Sequence, residues 1–151
     1  MRLKLGRPDI ADHADRFDAP PATGPWGVTF LGVASLLIDD GHIVTPETGT
    51  ILEGITRSSI IELAGKLGHQ VEERKFSIDE WRDGVASGEI TEVFACGTAA
   101  VVTPVGTLKW RGGQVGEGET TGPVTQEVRT ALVDIQYGRA EDTFGWMHRV
   151  V

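Results

Sequence analysis

The chain reads as an α/β (α+β) protein, a mixed sheet with a few helices in a single domain. Three observations predict this. Apolar runs of strand length recur at 27–38, 89–96 and 99–103; helical spacing of apolar residues marks 55–68, 77–85 and 123–137; and glycine or proline turn signals separate these segments. Alternation of this kind lets helices cover a sheet.

Residues 1–25 stand apart as a leader, because Arg7-Pro-Asp-Ile-Ala-Asp-His-Ala-Asp-Arg16 is polar and Pro20-Pro-Ala-Thr-Gly-Pro25 cannot continue a helix. The domain is expected to run from 26 to 151. From Gly27 an apolar strand leads to Ile38, Asp39-Asp-Gly41 supplies a turn, and His42-Ile-Val-Thr45 returns as the second strand of a hairpin. In Ile55 to Gly68, Ile60, Ile61, Leu63, Ala64 and Leu67 share one helical face, and Gly68 is the stop. Gln70 to Phe76 follows as a short strand. Ser77-Ile-Asp-Glu80 offers a capping box for a helix through Val85. Strands at 89–96 and 99–103 flank Gly97-Thr98, Thr107 to Gln114 makes another strand with a Gly112-Gly113 turn, and Pro123 to Tyr137 forms a helix burying Val124, Val128, Leu132 and Ile135.

Composition narrows the function. A chain of 151 residues, 40% hydrophobic and 24% charged, has material for one core. The net charge of -8 argues against nucleic-acid or anionic-membrane binding, which needs clustered Lys and Arg. A small molecule or another protein is the expected partner. With the single cysteine Cys96, no bilayer-length apolar run and no export pattern after Met1, a cytoplasmic protein is expected. No metal site is expected, since His13, His42, His69, His148 and Cys96 never fall at ligand spacing. A free cysteine ending an apolar strand is read as packing.

Two glycine-threonine turns remain as candidate chemistry. In Leu52-Glu-Gly-Ile-Thr-Arg57 the backbone N–H groups of Ile55 and Thr56 and the Thr56 hydroxyl sit at a positive helix end, which suits a phosphate or carboxylate. In Gly97-Thr-Ala-Ala100 small side chains leave backbone donors and the Thr98 hydroxyl open to a ligand oxygen. Plain turns are the alternative for both. Acid-base candidates are Glu92, Arg57 and Glu53. Glu92 stands in an apolar strand where burial would favour its neutral form; facing solvent or pairing with Arg57 is its structural alternative. Trp26, Phe30, Phe94 and Trp146 would line a pocket or simply fill the core.

Gly54-Ile-Thr-Arg57, Val71-Glu-Glu-Arg74, Asp79-Glu-Trp81, Gly88 through Ala100, Thr103-Pro104, Gly122-Pro-Val124, Asp134-Ile-Gln136 and Gly145-Trp146 occur in an order and spacing that resembles the carboxyl-terminal half of branched-chain amino-acid aminotransferases, of the class IV pyridoxal-phosphate fold. The resemblance runs from about Leu36 to the end. It implies a large-domain fold, a cofactor phosphate held at Ile55, Thr56 and Thr98, and a substrate carboxylate met by the backbone at Ala99 and Ala100. It also implies a cofactor-bearing lysine and a phosphate-binding arginine in an upstream region without counterpart here. Lys4, Lys66, Lys75 and Lys109 do not match that lysine. Phe30 stands where the family has a glutamate that keeps the pyridine nitrogen protonated, a requirement for using the ring as an electron sink.

The expectation is therefore a diverged protein that does not transaminate alone and reuses the old cleft for a small molecule, as in cofactor-independent cyclisation or isomerisation in specialised biosynthesis. The alternatives are a non-catalytic binding or partner subunit, and one half of a split enzyme. No cofactor is expected unless a partner chain supplies the lysine, in which case it is pyridoxal phosphate. A homodimer, or a partner protein, is expected, and the face left by a missing domain would be covered by the leader of residues 1–25 or by a second copy.

Overall fold

The computed structural model describes residues 41–48, 53–110, 112–116 and 121–150, together with the backbone of 2–3 and 34–39. The described strands are β1 (Arg2–Leu3), β2 (Ala34–Asp39), β3 (His42–Thr45), β4 (Gln70–Glu73), β5 (Ile90–Gly97), β6 (Val101–Pro104), β7 (Leu108–Trp110) and β8 (Gly113–Val115). The helices are α1 (Ile55–Lys66), α2 (Ile78–Ser87) and α3 (Pro123–Gln136). The mixed α/β class expected from the sequence is the class observed.

The main sheet has the order β4-β3-β2-β5-β6. β2 is antiparallel to both β3 and β5, and β4 is parallel to β3, so β3, β4 and β5 point the same way. Both faces of this sheet are covered. On one side α1 and α3 bury Ile60, Leu63, Ala64, Val128, Leu132 and Ile135 against Ile43, Phe94, Cys96 and Val102. On the other, Trp81 of α2 and Leu108 of β7 pack with Val44, Val93 and Ala95. The alternation along β5, with Phe94 and Cys96 to one face and Val93 and Ala95 to the other, follows from the two-residue strand period. A strand buried on both faces has no polar positions, which is why this stretch reads as a continuous apolar run.

Local signals fix the element ends. Gly68, at φ +96°, ends α1 with His69 N–H donating to Ala64 O and Gly68 N–H to Gly65 O, a Schellman arrangement. Ser77 caps α2 by accepting from Glu80 N–H at 3.0 Å, and Gly88 closes it at φ +84°.

Several elements differ from the sequence reading. Gln70–Phe76 shortens to Gln70–Glu73, and Lys75 lies in the loop beyond it. Thr107–Gln114 is a hairpin, β7 and β8, with Trp110 packed where a side chain on Gly113 would stand. Ile61 is half-buried and Leu67 exposed, while Arg57 takes a buried place on that helix face. In α3, Val124 is half-buried and Thr125 fully buried. Within the segment read as a leader, Arg2–Leu3 pairs antiparallel with β7. Edge pairing uses backbone groups that any residue carries, so side-chain pattern does not announce it.

Candidate functional site

The direction of the strands brings the two glycine-threonine turns to one end of the main sheet. β3 and β4 end there at Thr45 and Glu73, and β5 ends there at Gly97. α1 begins at the same end, since Arg57 in its first turn reaches Thr45, Pro46 and Glu73. Ligands of open α/β sheets gather beyond the carboxyl ends of strands, and both candidate turns lie there.

Among the described residues, none closes the donors of the first turn. Gly54 precedes α1 in extended conformation, and among the described residues no side chain caps the helix and no acidic residue stands in the first turn. The other two helix starts are filled: Ser77 caps α2, and the Glu92 carboxylate sits on α3, accepting from Val124 N–H at 3.1 Å and Thr125 N–H at 2.8 Å. Among the described helices α1 alone therefore presents uncapped N–H groups, a partial positive charge suited to an anion. Ile55 is 86% exposed and Thr56 half-buried at this opening.

The second turn is strained. β5 and β6 form a hairpin in which Gly97 pairs with Val101 around Thr98, Ala99 and Ala100. Thr98 and Ala99 are exposed, Ala100 is half-buried, and its carbonyl accepts from the Thr103 hydroxyl at 2.9 Å. Val101 holds φ +52°, the left-handed region that a β-branched residue disfavours. Such backbone persists where its surroundings over-determine it, and functional turns are a common setting.

Of the three acid-base candidates, only Glu53 is exposed, in the loop entering α1. Glu92 belongs to the other end of the sheet. It lies five residues before Gly97 on β5, roughly 16 Å along a strand. Its carboxylate neither faces the turns nor pairs with Arg57; both oxygens are engaged at α3, and any side chain on Gly122 would collide with it. Arg57 is buried, with its guanidinium bonded to Thr45 Oγ1, Pro46 O and Glu73 Oε2, so it is not free to act as an acid at the turns. Cys96 is buried, and desolvation pushes its thiol up to about 11, with the nearby Arg57 charge opposing; it packs rather than reacts.

Phe94 is core, and Trp146 stacks on Phe144 at 4.2 Å between ring centroids, away from the turns. Trp26 and Phe30 lie outside the described residues. Lys66 ends α1, roughly 16 Å from its start, where it bonds the Thr143 hydroxyl and lies over the Phe144 ring. Lys109 sits half-buried in β7, and Lys75 is exposed beside Glu47.

The model of the family Amino-transferase class IV matches residues 32–108. A probable branched-chain-amino-acid aminotransferase of Streptomyces coelicolor is 49% identical over 125 residues, which is 82% of this chain and 34% of that protein. The branched-chain-amino-acid aminotransferase of Mycolicibacterium smegmatis is 50% identical over 112 residues, 72% of this chain and 30% of its own length. Among solved structures, the branched-chain amino acid aminotransferase from Escherichia coli superposes with a TM-score of 0.64 at 39% identity, covering 78% of this chain and 37% of that one. The chain thus spans about a third of the length of the curated relatives it matches. Phe30 falls before the segment that the family model matches, though within the stretch aligned to the Streptomyces coelicolor protein. With more than half of its residues matched to one family model and a shared fold, the chain belongs to the class IV aminotransferases.

Proposed function

We propose that this chain forms the anion-holding part of a pyridoxal-phosphate site of the branched-chain aminotransferase kind, with the lysine that carries the cofactor lying outside these 151 residues. One observation carries the reading. The uncapped start of α1 and the strained Gly97-to-Val101 turn share one end of the sheet, and among the described residues no carboxylate fills that helix start. A phosphate fits such a place: Ile55 and Thr56 N–H and the hydroxyls of Thr56 and Thr98 would hold it, with Ala99 and Ala100 N–H left for a substrate carboxylate. Bound there, pyridoxal phosphate would supply an electron sink for bonds broken at the α-carbon of an amino acid once a group other than Phe30, which has no carboxylate, keeps its pyridine nitrogen protonated. This chain's residues supply charge neutralisation and orientation.

The test is equilibrium dialysis of the chain against pyridoxal 5′-phosphate, repeated with Thr56→Val and Thr98→Val combined. Saturable binding displaced by inorganic phosphate is expected, weakened about tenfold in the double variant by lost hydrogen bonds to a charged ligand. Binding that is absent or indifferent to phosphate overturns the reading. Transamination of a branched-chain amino acid is expected only with a lysine-bearing complement, for example the amino-terminal portion of a relative.

A second reading gives the cleft over to cofactor-independent cyclisation or isomerisation, and the exposed Glu53 carboxylate beside α1 favours it. It requires an organic ligand that inorganic phosphate does not displace. Assembly as a homodimer, or with a partner protein, is supported by exposed Leu67, Tyr137 and Met147; a single-chain mass in sedimentation at micromolar concentration would refute it.

A further inference from the structure

We infer that Arg57 is the positioning residue of the anion site, and that Glu73 sets how much of its positive charge reaches the anion. This rests on the phosphate-site reading above. Arg57 is the third residue of α1 and only 4% exposed. A buried guanidinium must be hydrogen-bonded and paired, and its planar fork can bind in more than one direction at once. Here Nε donates to Thr45 Oγ1 at 3.1 Å, while Nη2 donates to Pro46 O at 2.7 Å and to Glu73 Oε2 at 2.5 Å.

Those acceptors end β3, open the loop after it, and end β4. One side chain therefore fastens the first turn of α1 to the ends of two parallel strands. Ile55 and Thr56 immediately precede Arg57 in that turn, so the direction of their N–H groups is set by where the guanidinium is held. Thr45 is itself fully buried, and its carbonyl accepts from Arg74 N–H at 3.0 Å, which makes the anchor point rigid.

The charge is only partly cancelled. Glu73 is 47% exposed, so water screens the carboxylate more than the buried guanidinium. The residual positive field adds to the partial charge of the helix start. It also extends toward the second turn. Cys96 directly precedes Gly97, and although burial dominates in raising its thiol, the Arg57 charge acts on it in the opposite direction.

Arg57 would then be a fold staple with an electrostatic output, and the two roles separate by experiment. Inorganic phosphate binding to the 151-residue chain is measured by calorimetry for wild type, Arg57→Lys and Glu73→Gln, with circular dichroism and melting curves alongside. Glu73→Gln keeps a hydrogen-bond acceptor and removes the opposing charge, so binding is expected to tighten about threefold at low salt, and less at high salt. Arg57→Lys keeps the charge but loses the fork, so binding is expected to weaken about tenfold in a folded chain. If Arg57→Lys fails to fold, Glu73→Gln decides alone. Wild-type binding that is unchanged or weaker in Glu73→Gln overturns this inference and leaves the site reading standing. Absence of phosphate binding by wild type overturns both.

Discussion

Truncating Glu92 to alanine should destabilise the protein without touching the anion site. The carboxylate accepts from Val124 N–H at 3.1 Å and Thr125 N–H at 2.8 Å, closing the start of a fourteen-residue helix whose next turns supply Val128, Leu132 and Ile135 to the core. Losing an N-cap costs about 1 kcal/mol, and hydrogen bonds to a charged group are worth about 1.5–3 kcal/mol. Water can reach this half-buried helix end once the side chain is gone, which recovers part of the loss. A net destabilisation of about 2 kcal/mol is expected, or roughly 6 °C in melting temperature for a chain of this size. Thermal melts followed by far-ultraviolet circular dichroism, together with urea titrations, measure it. Glu92→Gln should fall between, because an amide offers one good acceptor where the carboxylate offers two. Gly122→Ala should be destabilising too, since a methyl there collides with the carboxylate. Combined with Glu92→Ala it should cost much less than the sum, as residues in direct contact do. If Glu92→Ala melts within about 1 °C of wild type, a shift corresponding to a few tenths of a kcal/mol, the capping argument fails. Loss of a catalytic activity in Glu92→Gln with an unchanged melt would return Glu92 to the acid-base candidates.

Two further outcomes follow from titratable groups. The Cys96 thiol should resist thiol reagents at neutral pH until the chain unfolds; because burial raises it from 9.0 to about 11, the stability it contributes is intact below pH 9 and is lost as pH climbs toward 11. Rapid labelling of the folded protein at neutral pH would refute this. Asp142 is held below its ordinary value of 3.8 chiefly by Met147 N–H, with Trp146, Phe144 and Gly145 N–H adding, so its ordering of the carboxyl-terminal loop is present above that value and lost as pH falls below it. Near-ultraviolet dichroism of the Phe144–Trp146 stack should change in acid, and Asp142→Asn should show that change already at neutral pH; a stack unaffected by the substitution would contradict the assignment.

The sequence by itself determined what short-range spacing encodes. The apolar run before Gly97, the face through Ile60 and Ala64, Gly68 as a helix stop and Ser77 as a cap depend on neighbours within a few residues, and each appears in the structure. So does family membership, since Gly54-Ile-Thr-Arg57 and Gly97-Thr98 lie within the matched segment. Arg57 was partly legible, because it falls three and seven residues before Ile60 and Ala64 on a face already read as buried. Its acceptors were not, as Thr45 and Glu73 stand 12 and 16 residues away. Only tertiary structure decided that Glu92 closes a helix 32 residues later, that Arg57 binds two strand ends, and that both glycine-threonine turns share one end of a sheet. The physical reason is that periodicity dictates which face a residue takes within its own element, while the partner of a buried charge depends on which strand ends the chain topology brings together.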